Sequence, residues 1–248
     1  MSFYCSILLS VISLTIVNSS NAQSIGYFEK TVTIKNQGWE LRGDLLLVKT
    51  KTNAPVVLML NKANGNRKPY QMLAKLLAAR NISSLRLDLR AEGESINKGK
   101  FIPFDSVNNK KIDLEETYTD IIAAEKYLLG IRSLDSQKFA IVGASYSGEE
   151  MMIASRKFRA AECYIALSPG SFSNESIMKI DSSKANILFL KSMDEKSMQG
   201  FEKIVFSATK RAQVLIVPGA MHATDILDSY PDISLFLADW LHSHLKGY

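Results

Sequence analysis

The sequence predicts an α/β fold with a mostly parallel central sheet, an antiparallel β start and helices on both faces. Three observations predict it. Short, nearly continuous apolar runs such as Pro55-Val56-Val57-Leu58-Met59-Leu60 recur along the chain, as expected for strands buried on both sides. Segments with helical spacing separate them. Two β-rich segments near the start are joined only by Asn36-Gln37-Gly38, which suits a tight turn. The length, 248 residues, fits one domain with a large core. With 46% hydrophobic and 22% charged residues, the composition excludes a disordered chain. The 13 Gly, 6 Pro and 2 Cys exclude collagen-like and disulfide-scaffold architectures.

Taken in order, Glu29–Lys35 and Trp39–Val48 are the two opening strands. Pro55–Leu60 is a buried strand. Pro69–Arg80 is a helix, with Tyr70, Leu73, Leu76 and Leu77 on one face. Ser84–Asp88 is a strand. Leu114–Arg132 is a long helix carrying Tyr118, Ile121, Ile122, Ala124, Leu128 and Leu129 at helical spacing. Lys138–Val142 is a strand, and a helix follows Ser145. Ala161–Leu167, Asn186–Lys191 and Gln213–Val217 are strands, and Asp232–Lys246 is an amphipathic closing helix. No repeat or low-complexity block interrupts this order.

The first 22 residues read as an address. Ile7 to Val17 is an uncharged apolar run, too short for a bilayer span but of signal-peptide length. Ser20 and Ala22 are the small residues that cleavage after Ala22 requires, although no Lys or Arg lies near Met1. The expectation is a signal peptide at 1–22, export to the periplasm or medium, and a mature domain at 23–248. No later segment is long enough to span a membrane. Cleavage removes Cys5 and leaves Cys163 on an apolar strand, where it is a small buried hydrophobe and no disulfide is available within one chain.

The net charge is +5, but its 30 Lys and Arg are scattered and no nucleic-acid-binding motif accompanies them. A solvated basic surface accounts for them, and no nucleic-acid partner is expected. The oligomeric state stays open.

In open parallel sheets, function gathers beyond the carboxyl ends of the strands. After Val142 comes Gly143-Ala144-Ser145-Tyr146-Ser147-Gly148, a strand, a small-residue turn and a helix. A nucleophilic serine needs this setting, because it must stand on a strained turn with its oxygen exposed and small neighbours two residues away. Ser145 is therefore the candidate nucleophile, with Ser147 where G-x-S-x-G has its second glycine. The backbone N–H of Tyr146, at the helix start, suits an oxyanion donor. Among the three histidines, His242 and His244 lie in the closing helix. His222 follows the last strand and is the candidate base. Asp194 and its neighbour Glu195 follow the preceding strand. Asp194 is taken as the orienting acid, because its shorter side chain is held more rigidly, and Glu195 as a solvated charge. The order Ser145, Asp194, His222 is that of one hydrolase class.

On these residues the chain resembles the α/β-hydrolase family over most of its mature length. Leu85-Arg86-Leu87-Asp88-Leu89-Arg90-Ala91-Glu92-Gly93-Glu94-Ser95 is similar to the D-x-R-G-x-G-x-S stretch of esterases and serine aminopeptidase-like hydrolases. Leu167-Ser168-Pro169-Gly170 and Pro218-Gly219-Ala220-Met221-His222 resemble dienelactone-hydrolase-like relatives. The resemblance implies the α/β-hydrolase fold, the same three triad positions, and oxyanion donors at Tyr146 and in the loop after Leu60, at Lys62 or Ala63. Relatives often carry His-Gly in that loop, where this chain has Asn61-Lys62. Asp88 and Arg90 are expected to form structural pairs. The short stretch before Asn186 leaves no room for a large cap domain, and Ile96–Ile112 is a candidate small flap.

The implied activity is hydrolysis of a small-molecule carboxylic ester with a small or medium acyl group, through an acyl-enzyme and without a cofactor or metal. A peptidase or thioesterase using the same triad is the enzymatic alternative. A non-catalytic binding protein that kept the fold is the alternative of another kind.

Overall fold

The computed structural model describes residues 26–50, 52–96, 116–169, 185–195 and 211–246. The expected leader, nearly all of the Ile96–Ile112 flap and the connection before Asn186 lie outside these residues.

The chain opens with β1 (Tyr27–Asn36) and β2 (Trp39–Val48), an antiparallel hairpin. Its two-residue turn has Gln37 at φ 48° and Gly38 at φ 80°. Both are left-handed, which matches the twist of the flanking strands. Next come β3 (Ala54–Leu60), a short 3₁₀ turn at Lys68–Tyr70, α1 (Gln71–Ala78) and β4 (Ser83–Leu87). Then follow α2 (Thr117–Leu129), β5 (Leu134–Ala144), α3 (Tyr146–Lys157), β6 (Cys163–Leu167), β7 (Asn186–Ser192) and β8 (Ala212–Val217). The described chain closes with α4 (Asp225–Ser229) and α5 (Pro231–Lys246).

The eight strands of the described residues form one sheet in the order β1-β2-β4-β3-β5-β6-β7-β8. β2 meets β4 antiparallel, and every pairing from β4 to β8 is parallel. Alternate strand residues feed two cores, because successive side chains leave a strand on opposite faces. Leu58, Ile141 and Phe189 join Ile121 and Leu128 of α2 and Met151 of α3 on one face. Val57, Val142 and Leu188 join Leu73 and Leu77 of α1 and Leu237 and Leu241 of α5 on the other. That double coverage explains the continuous apolar runs. Cys163 lies in the second core, where burial pushes its thiol well above the ordinary range.

Elements differ from expectation at their polar edges. β5 begins four residues before Lys138, because Leu134 pairs with Ala54 ahead of a bulge near Val56. Leu129, expected on the buried face of α2, is 41% exposed at the helix end. Asp88 and Arg90 do form structural pairs. Asp88 accepts from the Arg67 backbone N–H at 2.6 Å and is ion-paired with the Arg67 guanidinium. Arg90 grips Asp120 at 2.7 Å and Glu116 at 2.9 Å. Gly93, at φ 50°, is required beside Asp88, since a Cβ there would fall 2.3 Å from its Oδ2.

Among the described residues no helix is long and apolar enough to cross a membrane.

Candidate active site

The site is assembled at the carboxyl ends of β3, β5, β6, β7 and β8. Ser145 occupies the turn between β5 and α3 with φ 55° and ψ −124°. A non-glycine residue pays a strain cost of order 1–3 kcal/mol in so sparsely populated a region, and such residues concentrate at functional sites. The neighbours make the turn possible. A Cβ on Gly143 would sit 2.6 Å from the Ser147 carbonyl oxygen and 2.9 Å from the Gly148 Cα. A Cβ on Gly148 would press to 3.0 Å against Pro169. Ser147 is wholly buried, accepting from the Ala144 N–H at 2.7 Å and donating to the Ala144 carbonyl at 2.9 Å. Serine thus replaces the motif's second glycine without crowding, and its hydroxyl braces the turn.

The Ser145 hydroxyl lies 3.0 Å from Nε2 of His222. On the other side of the ring, His222 Nδ1 is hydrogen-bonded to Oε1 of Glu195. A carboxylate acceptor at Nδ1 fixes the tautomer that leaves Nε2 free to accept the serine proton. Sequence reasoning selected Asp194 for this place, and the structure assigns the contact to Glu195. The reason is the turn after β7. Met193 and Asp194 form its outer corner and are exposed, while Glu195 returns inward and is only 7% exposed. Asp194 is held there by its backbone, which donates to the Gly219 carbonyl at 2.9 Å. The extra methylene of glutamate supplies the reach from one residue further along.

Ser168, which sequence reasoning did not single out as a site residue, supplies the rigidity expected of the shorter aspartate. It is fully buried at the end of β6, at φ 40°. It donates to Oε2 of Glu195 at 2.7 Å and accepts from the Ala223 N–H at 3.0 Å. One hydroxyl therefore fixes both the acid and the chain beside His222. Ser192 donates to the Met221 carbonyl at 2.7 Å, a second strut between the same two loops. The signals for Ser168 were its place just past an apolar strand and its presence in the Leu167-Ser168-Pro169-Gly170 stretch. Burial by itself would raise the Glu195 pKa, but the bonds from His222 and Ser168 outweigh it and hold the carboxyl below its ordinary value.

The loop after β3 runs beside the serine turn, since Leu60 pairs with Gly143. Asn61 is fully buried, accepts from the Leu89 N–H at 2.9 Å and donates to the Lys62 carbonyl at 2.8 Å. The Gly65 N–H also donates to that carbonyl at 3.1 Å. The left-handed residue is Asn64, at φ 55°, so the loop needs no glycine at position 62. The close approach falls at Gly65, where a Cβ would lie 2.8 Å from the Lys62 oxygen. Lys62 and Ala63 are half-buried at this edge. As the first residue of α3, Tyr146 has a backbone N–H with no acceptor in its own helix. These are the positions expected to supply oxyanion donors, and they border the Ser145 turn. His242 and His244 stand apart on α5, with His244 stacked on Trp240. Among the described residues no group of three or more His, Cys, Asp or Glu is arranged to hold a metal ion.

No protein-family model matches the sequence, and no curated protein matches it significantly. Solved structures do match the fold. A dienelactone hydrolase from Anabaena variabilis superposes with a TM-score of 0.71 at 14% identity, covering 89% of this chain and 99% of that one. The protein Est1E from Butyrivibrio proteoclasticus gives 0.65 at 14% identity, covering 88% and 99%. A dienelactone hydrolase-like promiscuous phosphotriesterase from metagenomic libraries gives 0.67 at 18% identity, covering 89% and 99%. At such identities the likeness establishes the α/β-hydrolase fold.

Proposed function

We propose that this α/β-hydrolase-fold protein is an exported serine hydrolase that cleaves carboxylic esters of small or medium acyl groups. The observation that carries the proposal is the continuous relay Ser145–His222–Glu195, with Ser145 raised on a strained turn. Ser145 Oγ attacks the ester carbonyl while His222 Nε2 takes its proton. Glu195 stabilises the resulting imidazolium through Nδ1. The oxyanion is met by the N–H of Tyr146 and by an N–H of Lys62 or Ala63. His222 then returns the proton to the leaving alkoxide, and the acyl-enzyme forms. Water, deprotonated by His222, attacks the acyl-enzyme and frees the acid and Ser145. Every proton in this cycle is carried by His222. Esters are favoured over amides because an ester leaving group makes the smaller demand on the acid step. The fold neighbours named as hydrolases support hydrolysis in general.

The test is turnover of p-nitrophenyl acetate together with labelling by a fluorophosphonate. Wild type is expected to do both, and Ser145→Ala to do neither while keeping its circular dichroism. Loss of a triad nucleophile in a serine protease costs about 10⁶-fold in kcat. Near-wild-type turnover in Ser145→Ala refutes the nucleophile. Export rests on the 1–22 leader pattern and is checked by the intact mass of extracytoplasmic protein, which should begin at Gln23. A cytosolic protein beginning at Met1 refutes it.

A further inference from the structure

We propose that Lys62 and Asp225 form a positioning pair, an ion pair that holds the oxyanion loop in register with the catalytic histidine. The proposal rests on the serine-hydrolase reading above and adds a function for two side chains that the relay does not use.

Lys62 Nζ lies 2.5 Å from Asp225 Oδ2, joining positions 163 residues apart. Each residue is fastened to a different part of the machinery. The Lys62 carbonyl is fixed from two sides by Asn61 Nδ2 and the Gly65 N–H, so its flanking peptides turn as one unit. Asp225 opens α4, and its backbone N–H donates to the carbonyl of His222 at 3.1 Å. One aspartate thus holds the peptide of the candidate base through its backbone and the oxyanion loop through its carboxylate.

The histidine loop is bolted to the acid loop on its other flank. Ser168 donates to Glu195 and accepts from Ala223, Ser192 donates to Met221, and Met193 and Asp194 donate to Val217 and Gly219. Those bonds fix His222 against Glu195 and leave the oxyanion loop untouched. The Lys62–Asp225 contact spans that remaining gap. Its side chains are 21% and 50% exposed. A pair so open to water adds little to global stability. Its value lies in geometry, because a misplacement of about 1 Å among groups that must act together costs on the order of 10²-fold in rate. Transition-state stabilisation needs the oxyanion donor and His222 Nε2 at fixed separation, whereas ground-state ester binding does not. The pair therefore acts on kcat and spares KM.

The experiment measures kcat, KM and the rate of fluorophosphonate labelling in wild type, Lys62→Met, Asp225→Ala, the double variant and Lys62→Arg. Each single variant should lose about ten- to hundredfold in kcat, with KM changed less than about threefold and Tm nearly unchanged. The double variant should be no worse than either single one, because both remove the same contact. Lys62→Arg should retain most of the activity. Molar sodium chloride should slow wild type and leave the single variants unaffected. Single variants with wild-type kcat, or losses that multiply in the double variant, overturn the pair. Should Lys62→Met fail to fold, Asp225→Ala and Lys62→Arg still decide the question. A wild type inert to both ester and fluorophosphonate defeats the hydrolase reading itself. A labelled wild type whose variants label at the same rate defeats only the pair.

Discussion

Replacing Glu125 by glutamine should stabilise the protein, and by an amount that grows with pH. Glu125 lies on α2, 2% exposed, facing a small cavity lined by Val56, Leu128, Leu134, Phe139 and Arg159. Both of its carboxylate oxygens lack a hydrogen-bond partner. Burial pushes its pKa up to about 8 from 4.5, against a weaker downward pull from Arg159. An acid raised in this way binds its proton more tightly folded than unfolded. Its contribution is fully present below pH 4.5 and is lost as pH rises through 8. Between those limits wild type should lose about 1.4 kcal/mol of stability per pH unit relative to Glu125→Gln, or about 5 kcal/mol across 3.5 units. Arg159 is half-buried and can turn toward a charged Glu125, so we expect roughly half that sum. The assay is urea unfolding of both proteins from pH 5 to 8.5, comparing their difference so that other titrating groups cancel. A difference that stays flat over this range refutes the buried, unpaired carboxyl.

Glu195→Gln should lower kcat by about 10⁴-fold, the loss seen when a triad acid becomes an amide. Asp194→Asn should change kcat less than about tenfold, equal to 1.4 kcal/mol of barrier. The reverse pattern on p-nitrophenyl acetate would return the acid to Asp194. Ser168→Ala strips a donor from a buried carboxylate and an acceptor from Ala223, and should cost about 1–3 kcal/mol of stability by urea titration. It should also cost about ten- to hundredfold in kcat through the freed Glu195. Ser147→Ala removes the acceptor of the buried Ala144 N–H and should lower Tm, yet keep kcat within about tenfold because that hydroxyl is engaged with Ala144 and it is Ser145 that meets His222. A kcat loss as severe as that of Ser145→Ala would show that Ser147 shares the chemistry.

What the sequence disclosed follows from which interactions are local. Doubly buried strands announce themselves, so β3, β6 and β7 fall within a residue or two of the expected limits. The start of β5 does not, because Asp135, Ser136 and Gln137 are polar and fall in the irregular stretch between the Leu134–Ala54 and Phe139–Val56 pairs, leaving no apolar trace. The Ser145–His222 contact was legible because a strained turn and a scarce residue type each narrow the choice. The carboxylate that meets His222 was not, because the selection between adjacent carboxylates is made by burial, a tertiary property. Met193 and Asp194 face water, and Glu195 faces Ser168.

That choice has a physical logic. An aspartate at the exposed corner would have to turn its carboxylate inward across the end of β7. Glutamate, placed where the chain has already re-entered the protein, reaches His222 with one oxygen and spends the other on Ser168. A longer side chain has more rotamer freedom to lose, and a fully buried hydroxyl is what removes it. The same hydroxyl accepts from Ala223, so a shift in the acid is felt beside the base. Rigidity in this relay is therefore shared between β6, β7 and the histidine loop rather than stored in a short acid. Hence Ser168, which carries no charge and takes no proton, should prove more sensitive to substitution than Asp194.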